Sequence, residues 1–184
     1  MKQTTPTTDC PSPPTPSLGS LVWHLAGLIS KKLPPGDVAA LRRLRPEDPG
    51  CPPFWKLMAT EINANAFGDA GRADDEEDRR WAAVLSALAT LDGLVQTSPD
   101  FGTALARADY SELRFERLLR AGDAQLLDEL LNAVRFLAAK AEPLNPVDIA
   151  RLALTRDPEK GESLRRKLAR QYYRIVSTHP KKES

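Results

Sequence analysis

Apolar positions recur at intervals of three and four through most of the chain, the period that gathers them along one side of an α-helix. Leu18, Leu21, Val22, Leu25, Leu28 and Ile29 mark a first helix from about Ser17 or Leu18 to Lys31. Pro34, Pro35 and Gly36 break the pattern. Asp37 is then placed to cap a short helix over VAALRRLR, with Ala40, Leu41 and Leu44 on its buried side and Pro46 as its stop. A third helix is expected from about Phe54 to Asn63, burying some of Phe54, Trp55, Leu57, Met58 and Ile62, with Trp55 read as core. Trp81, Val84, Leu85, Leu88 and Leu91 form the stripe of a long helix that begins at Glu76 or Glu77.

The loop Asp92 to Asp100 separates two halves of similar length. The second half opens on a short helix, Phe101 to Ala108. Ser111 caps SELRFERLLRAG, which ends with Gly122 at the C′ position, and Asp123 caps the next helix, striped by Leu126, Leu127, Leu130, Leu131, Val134 and Leu137. So short a connection makes these two an αα-hairpin. Asn145 and Pro146 open VDIARLAL, and Asp157, Pro158 and Gly161 lead into Glu162 to Val176. Alternating Val, Ile and Thr runs are missing and no internal repeat is found. The pattern predicts an all-α fold: a helical bundle of two packed halves, 18–95 and 100–178, behind a disordered Pro/Thr-rich tail over 1–17.

Composition changes this picture little. A chain of 184 residues with 41% apolar and 28% charged positions can bury an ordinary core without a disulfide or metal staple. Cys10 and Cys51 stand far apart among prolines with no ligand-spaced partner, so a metal site is not expected and a reducing cytoplasm is the simpler reading than a disulfide. No apolar run approaches the roughly 20 residues of a membrane span, and Met1 to Ser17 lacks the apolar stretch of a secretory signal. The tail satisfies PxxP at Pro13 and Pro16 but reads as a spacer.

Charge changes it more. The whole chain is +1, yet from Arg151 onward ten Lys or Arg stand against four acids, a local charge of +6. In the last helix Leu164, Leu168, Tyr172, Ile175 and Val176 share one side, while Arg166, Lys167, Arg170 and Arg174 gather opposite. A one-sided basic stripe is the electrostatic footprint of a phosphate-backbone binder; the competing reading is a solvated face. Arg42, Arg43 and Arg45 project from the second helix as another basic surface. The acidic run Asp69 to Asp78 holds six acids and one Arg, and reads as a solvated loop with negative charge at a helix start rather than a cation site.

Catalytic chemistry has little to work with. His24 and His179 are the two histidines, no Ser-His or Cys-His constellation assembles, and the phosphate-loop, dinucleotide and zinc-protease motifs are missing. The chain is read as non-catalytic and without a cofactor.

PPGDVAALRRL, then PPFWKL after a Pro-rich gap, FGTALARA, RFERLLRAGDAQLLDELLNAVRFLA, VDIARLAL and RRKLARQYYR, in this order from about Leu18 to Arg174, resemble the CasB family, the small subunits of Cascade, the type I-E CRISPR surveillance complex. The resemblance implies an all-helical subunit present as two copies along a backbone of repeated subunits on guide RNA. Its implied partners are the other Cascade subunits, a second copy of itself, guide RNA and target DNA. Its implied task is to hold the target and displaced strands of an R-loop. Carried over, the family's arginines fall on Arg42 and Arg43, on Arg114, Arg117 and Arg120, and on Arg165, Arg166 and Arg170, with Arg117 alternatively bracing two helices. Tyr173, at the edge of the basic face, is the aromatic candidate for stacking on a single strand, with a rim residue of the core as the alternative reading. Rival readings are a helical adaptor that binds only protein, and a helix-turn-helix regulator using VDIARLAL and RRKLARQYYR, disfavoured by the long connection Thr155 to Gly161.

Overall fold

Ten successive residues, Arg80 to Ala89, are buried in a single helix, and the other elements are arranged around it. The computed structural model describes residues 16–65 and 75–178. Its helices are α1 (Leu18–Lys31), α2 (Pro35–Arg42), α3 (Pro52–Leu57), α4 (Asp75–Thr90), α5 (Phe101–Arg107), α6 (Glu112–Arg120), α7 (Asp123–Ala139), α8 (Val147–Leu154) and α9 (Pro158–Thr178). Among the described residues β-structure is confined to isolated bridges. The tail up to residue 15, residues 66–74 of the acidic segment and His179 onward lie outside the described residues.

Helix α4 is central because of its small side chains. Trp81, Leu85 and Leu88 supply the apolar stripe, and Ala82, Ala83, Ala87 and Ala89 let neighbours approach on the faces the stripe leaves open. It packs against α1, α2, α7 and α8, and the resulting core runs without interruption from Leu21 to Tyr172. Asp75, Glu76, Glu77 and Asp78 form its first turn, where carboxylates oppose the positive end of the helix dipole.

The connection after α4 is a strap rather than a free linker. Leu144 N donates to Leu94 O at 3.1 Å, Gln96 N to Leu144 O at 2.9 Å and Asn145 N to Pro99 O at 2.8 Å. Asn145, one residue ahead of the Pro146 N-cap, also accepts from Val147 N through Oδ1 at 3.0 Å and donates from Nδ2 to Thr97 O at 3.2 Å, so one side chain ties the start of α8 to the strap.

Helices α5 and α9 meet where Gly102 faces α9. A Cβ on Gly102 would lie 2.6 Å from Leu168 O and 2.8 Å from Gln171 Cβ, and Gly102 N donates to Gln171 Oε1 at 3.3 Å. Only glycine permits the two backbones this approach.

The observed helix ends depart from the pattern in five places. Helix α2 starts at Pro35 with Pro34 at its N-cap, so Asp37 lies in the first turn and caps nothing through its side chain; Arg42, not Pro46, ends the helix. Helix α3 starts at Pro52 and runs on through a π-helical turn, Met58–Ile62. Trp55, expected in the core, is 47% exposed: Phe54 and Leu57 take the inward side, and Trp55 lies against Phe54 at 4.8 Å, ring edge to face. Gly122 is not a left-handed cap; with φ −73° it is the N-cap of α7, and Asp123 is the first helical residue. Helix α9 begins at Pro158. The Asp157 carboxylate accepts from Glu159 N at 2.9 Å and Lys160 N at 3.2 Å, and the backbone bond from Lys160 leads in holding that carboxyl below its usual range. The α8–α9 connection is therefore only residues 155–157, not a long loop.

Candidate nucleic-acid interface

Helix α9 turns its apolar side inward, with Leu168 and Tyr172 buried and Leu164, Ile175 and Val176 half-buried. At about 100° per residue, Arg166, Arg170, Tyr173 and Arg174 then fall on the outward side, and all four are exposed. Arg170 and Arg174 make no side-chain hydrogen bond or ion pair among the described residues. Arg166 Nε donates to Glu162 Oε1 at 2.9 Å, one turn back and in solvent. Such exposed pairs hold their partners weakly.

Other basic residues singled out from the sequence are engaged inside the fold. Arg165 reaches across to the α6–α7 turn, its Nη2 donating to Ala121 O at 3.0 Å. Lys167 Nζ lies 2.9 and 3.1 Å from the two oxygens of Asp148. Asp148, only 8% exposed, also accepts from Gln171 Nε2 at 3.4 Å and has Arg151 at 3.5 Å, so one carboxylate ties α8 to α9. Arg42 donates from Nε to Ala89 O at 2.7 Å and from Nη2 to Asp92 at 3.2 Å, closing the C-terminal end of α4. Arg43 and Arg45, beyond the end of α2, are exposed with free guanidinium groups among the described residues.

On α6 the three arginines divide. Arg120 is 3.5 Å from Glu116, again in solvent. Arg114 and Arg117 line a groove against α7 together with Tyr110, Glu129 and Asn132, and neither forms an ion pair there. The bracing pair considered for Arg117 is thus not made. Burial and then Glu129 push the Tyr110 phenol above its ordinary value, while Arg114 and Arg117 pull it back.

The surface is braced from beneath by aromatic rings. Phe115 of α6 stacks on Tyr172 of α9 at 3.9 Å and 14°, and the Tyr172 hydroxyl donates to Tyr110 O. Tyr173 meets the same pair edgewise, 5.8 Å from Phe115 and 5.3 Å from Tyr172.

Three residues that the sequence pattern does not single out stand out in the structure. Arg80 is 4% exposed, donating to Glu76 at 2.8 Å and to Ala153 O at 2.8 Å, which satisfies the end of α8. Arg107 is exposed on the last turn of α5 and unpaired among the described residues. Asp148 signals only its place at a helix start. The exposed His24 is bonded to Glu61 at 2.9 Å. Among the described residues no cluster of His, Cys, Asp or Glu has the make-up of a metal site, and no helix is long and apolar enough to cross a membrane.

Fold and surface together define a class: a small all-helical protein whose outer helix faces carry free arginines over an aromatic brace. The family model of CRISPR-associated protein Cse2 matches residues 37–173. Among solved structures, CasB from Thermus thermophilus is similar at 27% identity and a TM-score of 0.62, covering 83% of this chain and 95% of that one. CasB from M. ruber aligns at 21% identity and a TM-score of 0.64, covering 88% and 95%. A chain of E. coli Cascade bound to a PAM-containing dsDNA target aligns at 20% identity and a TM-score of 0.60, covering 84% and 97%. A search of the curated proteins gives no match. The chain belongs to the CRISPR-associated Cse2 family.

Proposed function

We propose that the outward arginines of α9, with Arg43, Arg45, Arg114 and Arg117, hold nucleic-acid phosphates within a CRISPR surveillance complex, stabilising target DNA and the displaced strand of the R-loop. As a Cse2-family member the protein is a small subunit of the type I-E complex. Its partners are the other Cascade subunits, a second copy of itself, guide RNA and target DNA, and its setting is the cytoplasm. Its part is structural and non-catalytic: base pairing with the guide reads sequence, and the protein supplies charge and shape.

The observation that carries this reading is the alignment of Arg166, Arg170 and Arg174 on the outward side of α9, with the last two unpaired among the described residues. Unpaired guanidinium groups can meet phosphates without first breaking an internal bond, and each phosphate they neutralise releases counterions. A helix-turn-helix regulator is disfavoured on a different ground from connection length, which at three residues suits it. A recognition helix presents its N-terminal residues to base edges, and here that end offers exposed Glu159 and Glu162, which repel DNA.

The test is target-DNA binding by the reconstituted complex carrying Arg166→Ala, Arg170→Ala and Arg174→Ala together. Binding should weaken alike on every target sequence, and the salt slope should fall by about 0.7–0.9 for each phosphate no longer held. A complex that forms poorly but binds DNA with an unchanged slope would mark α9 as a protein-docking face.

A further inference from the structure

Tyr173 has a surrounding that neither charge nor packing alone accounts for. It is 38% exposed, one of three large apolar or aromatic side chains so placed among the described residues, with Trp55 and Leu113. It stands on the arginine face itself, three residues after Arg170 and next to Arg174. Along a helix, Arg166 to Arg174 spans about 12 Å, so the phenol sits within the row of cations rather than beyond its end.

The ring is also held in place. Phe115 and Tyr172 both meet it near a right angle, at 78° and 89°, and those two rings are locked together in a parallel stack. Tyr172 has a ring lying parallel upon it; among the described residues Tyr173 has none. A rigid aromatic with no parallel partner, set among guanidinium groups, offers a surface to another flat ring. Of the carboxylates facing it, Glu116 is paired with Arg120, and Glu112 is left as one negative charge against the three arginines of the same face.

We propose that Tyr173 is a stacking site for an unpaired nucleobase, with Arg166, Arg170 and Arg174 taking the phosphates on either side of that base. The ligand class is single-stranded nucleic acid. In a duplex the bases already stack on one another, so an exposed ring adds nothing to duplex binding, whereas each base stacked on an aromatic adds substantially to single-strand affinity. The inference rests on the phosphate-binding reading of α9 and gives that face a preference for unpaired strands. A protein partner seated on Tyr173 is the other occupant the geometry admits, and charge complementarity favours the strand.

The experiment uses the full chain in the reconstituted complex and, as probe, a single-stranded oligonucleotide carrying one fluorescent purine whose emission is quenched by stacking, beside a duplex of the same sequence. With the unaltered protein, quenching is expected on the single strand. Tyr173→Leu should abolish it and weaken single-strand binding roughly 5- to 100-fold, leaving duplex affinity and the salt slope unchanged. Tyr173→Trp should keep both quenching and affinity, which guards against a folding defect in the leucine variant. Arg170→Ala with Arg174→Ala should instead flatten the slope on both probes. No quenching with the unaltered protein overturns the inference. So does a Tyr173→Leu protein that binds single strand normally, or one that fails in complex assembly alone. If the arginine variants leave the slope unchanged, the phosphate reading itself has failed.

Discussion

Each arginine on this surface is defined by what its guanidinium already touches. Arg42, Arg80 and Arg165 end on backbone carbonyls at helix termini, where they satisfy acceptors that no intrahelical N–H reaches. Arg170 and Arg174 have no such acceptor among the described residues. Arg166 lies between these groups, tethered to Glu162 by an exposed pair. Removing that tether by Glu162→Gln takes away one negative charge and frees one cation, at little cost to the fold. Affinity of the assembled complex for target DNA should rise roughly 1.5- to 5-fold and the salt slope should steepen; filter binding at two salt concentrations reads both, and equal affinity would show that Arg166 touches no phosphate. The sequence marks all these arginines alike, because helical periodicity places a side chain on a face but says nothing of the carbonyl or carboxylate another element brings to it. Lys167 shows this most clearly: the wheel puts it with Arg166 and Arg170, and Asp148 of α8, nineteen residues away in sequence, claims it.

Among the elements, α9 is set by α5. Gly102 brings the two backbones together, and Gln171 spans the junction by accepting from Gly102 N and donating to Asp148. Gly102→Ala would force a Cβ onto Leu168 O, a backbone atom that cannot swing away. The variant should lose about 1–3 kcal/mol of stability, read from denaturant unfolding, and its α9 face should be displaced even though every arginine is still present. A variant of unchanged stability would mean that the helices separate freely and that the close approach is not required. Helix existence is legible from periodicity in α1, α4, α7 and α9, where stripes are long. Helix ends are less so. Asp37 and Asp123 carry the chemistry of caps yet lie just inside their helices, since Pro34 and Pro35 set the start of α2 and Gly122, after the extended Ala121, sets the start of α7. Trp55 departs from its expected place for a related reason: a helix of six residues has room for one inward row, and Phe54 with Leu57 fills it.

At the scale of the molecule, the core is single and α4 lies within it, while positive charge is kept outside on α9, on α6 and past the end of α2. That separation lets a chain of net charge +1 present basic faces. The resemblance of ordered short segments to the CasB family is already in the sequence and agrees with the Cse2 family match over residues 37–173. The sorting of arginines into structural and free is not, because it depends on contacts between distant parts of the chain. The measurement that tests this sorting most directly is target-DNA affinity across salt for reconstituted complexes carrying either Arg170→Ala with Arg174→Ala, or Arg42→Ala with Arg165→Ala, with the melting temperature of each subunit alongside. The first pair should flatten the salt slope by about 1.4–1.8 in all at unchanged melting temperature, and the second pair should lower the melting temperature. Weakened DNA affinity from the second pair alone, with melting unchanged, would contradict the division of these arginines into structural and free.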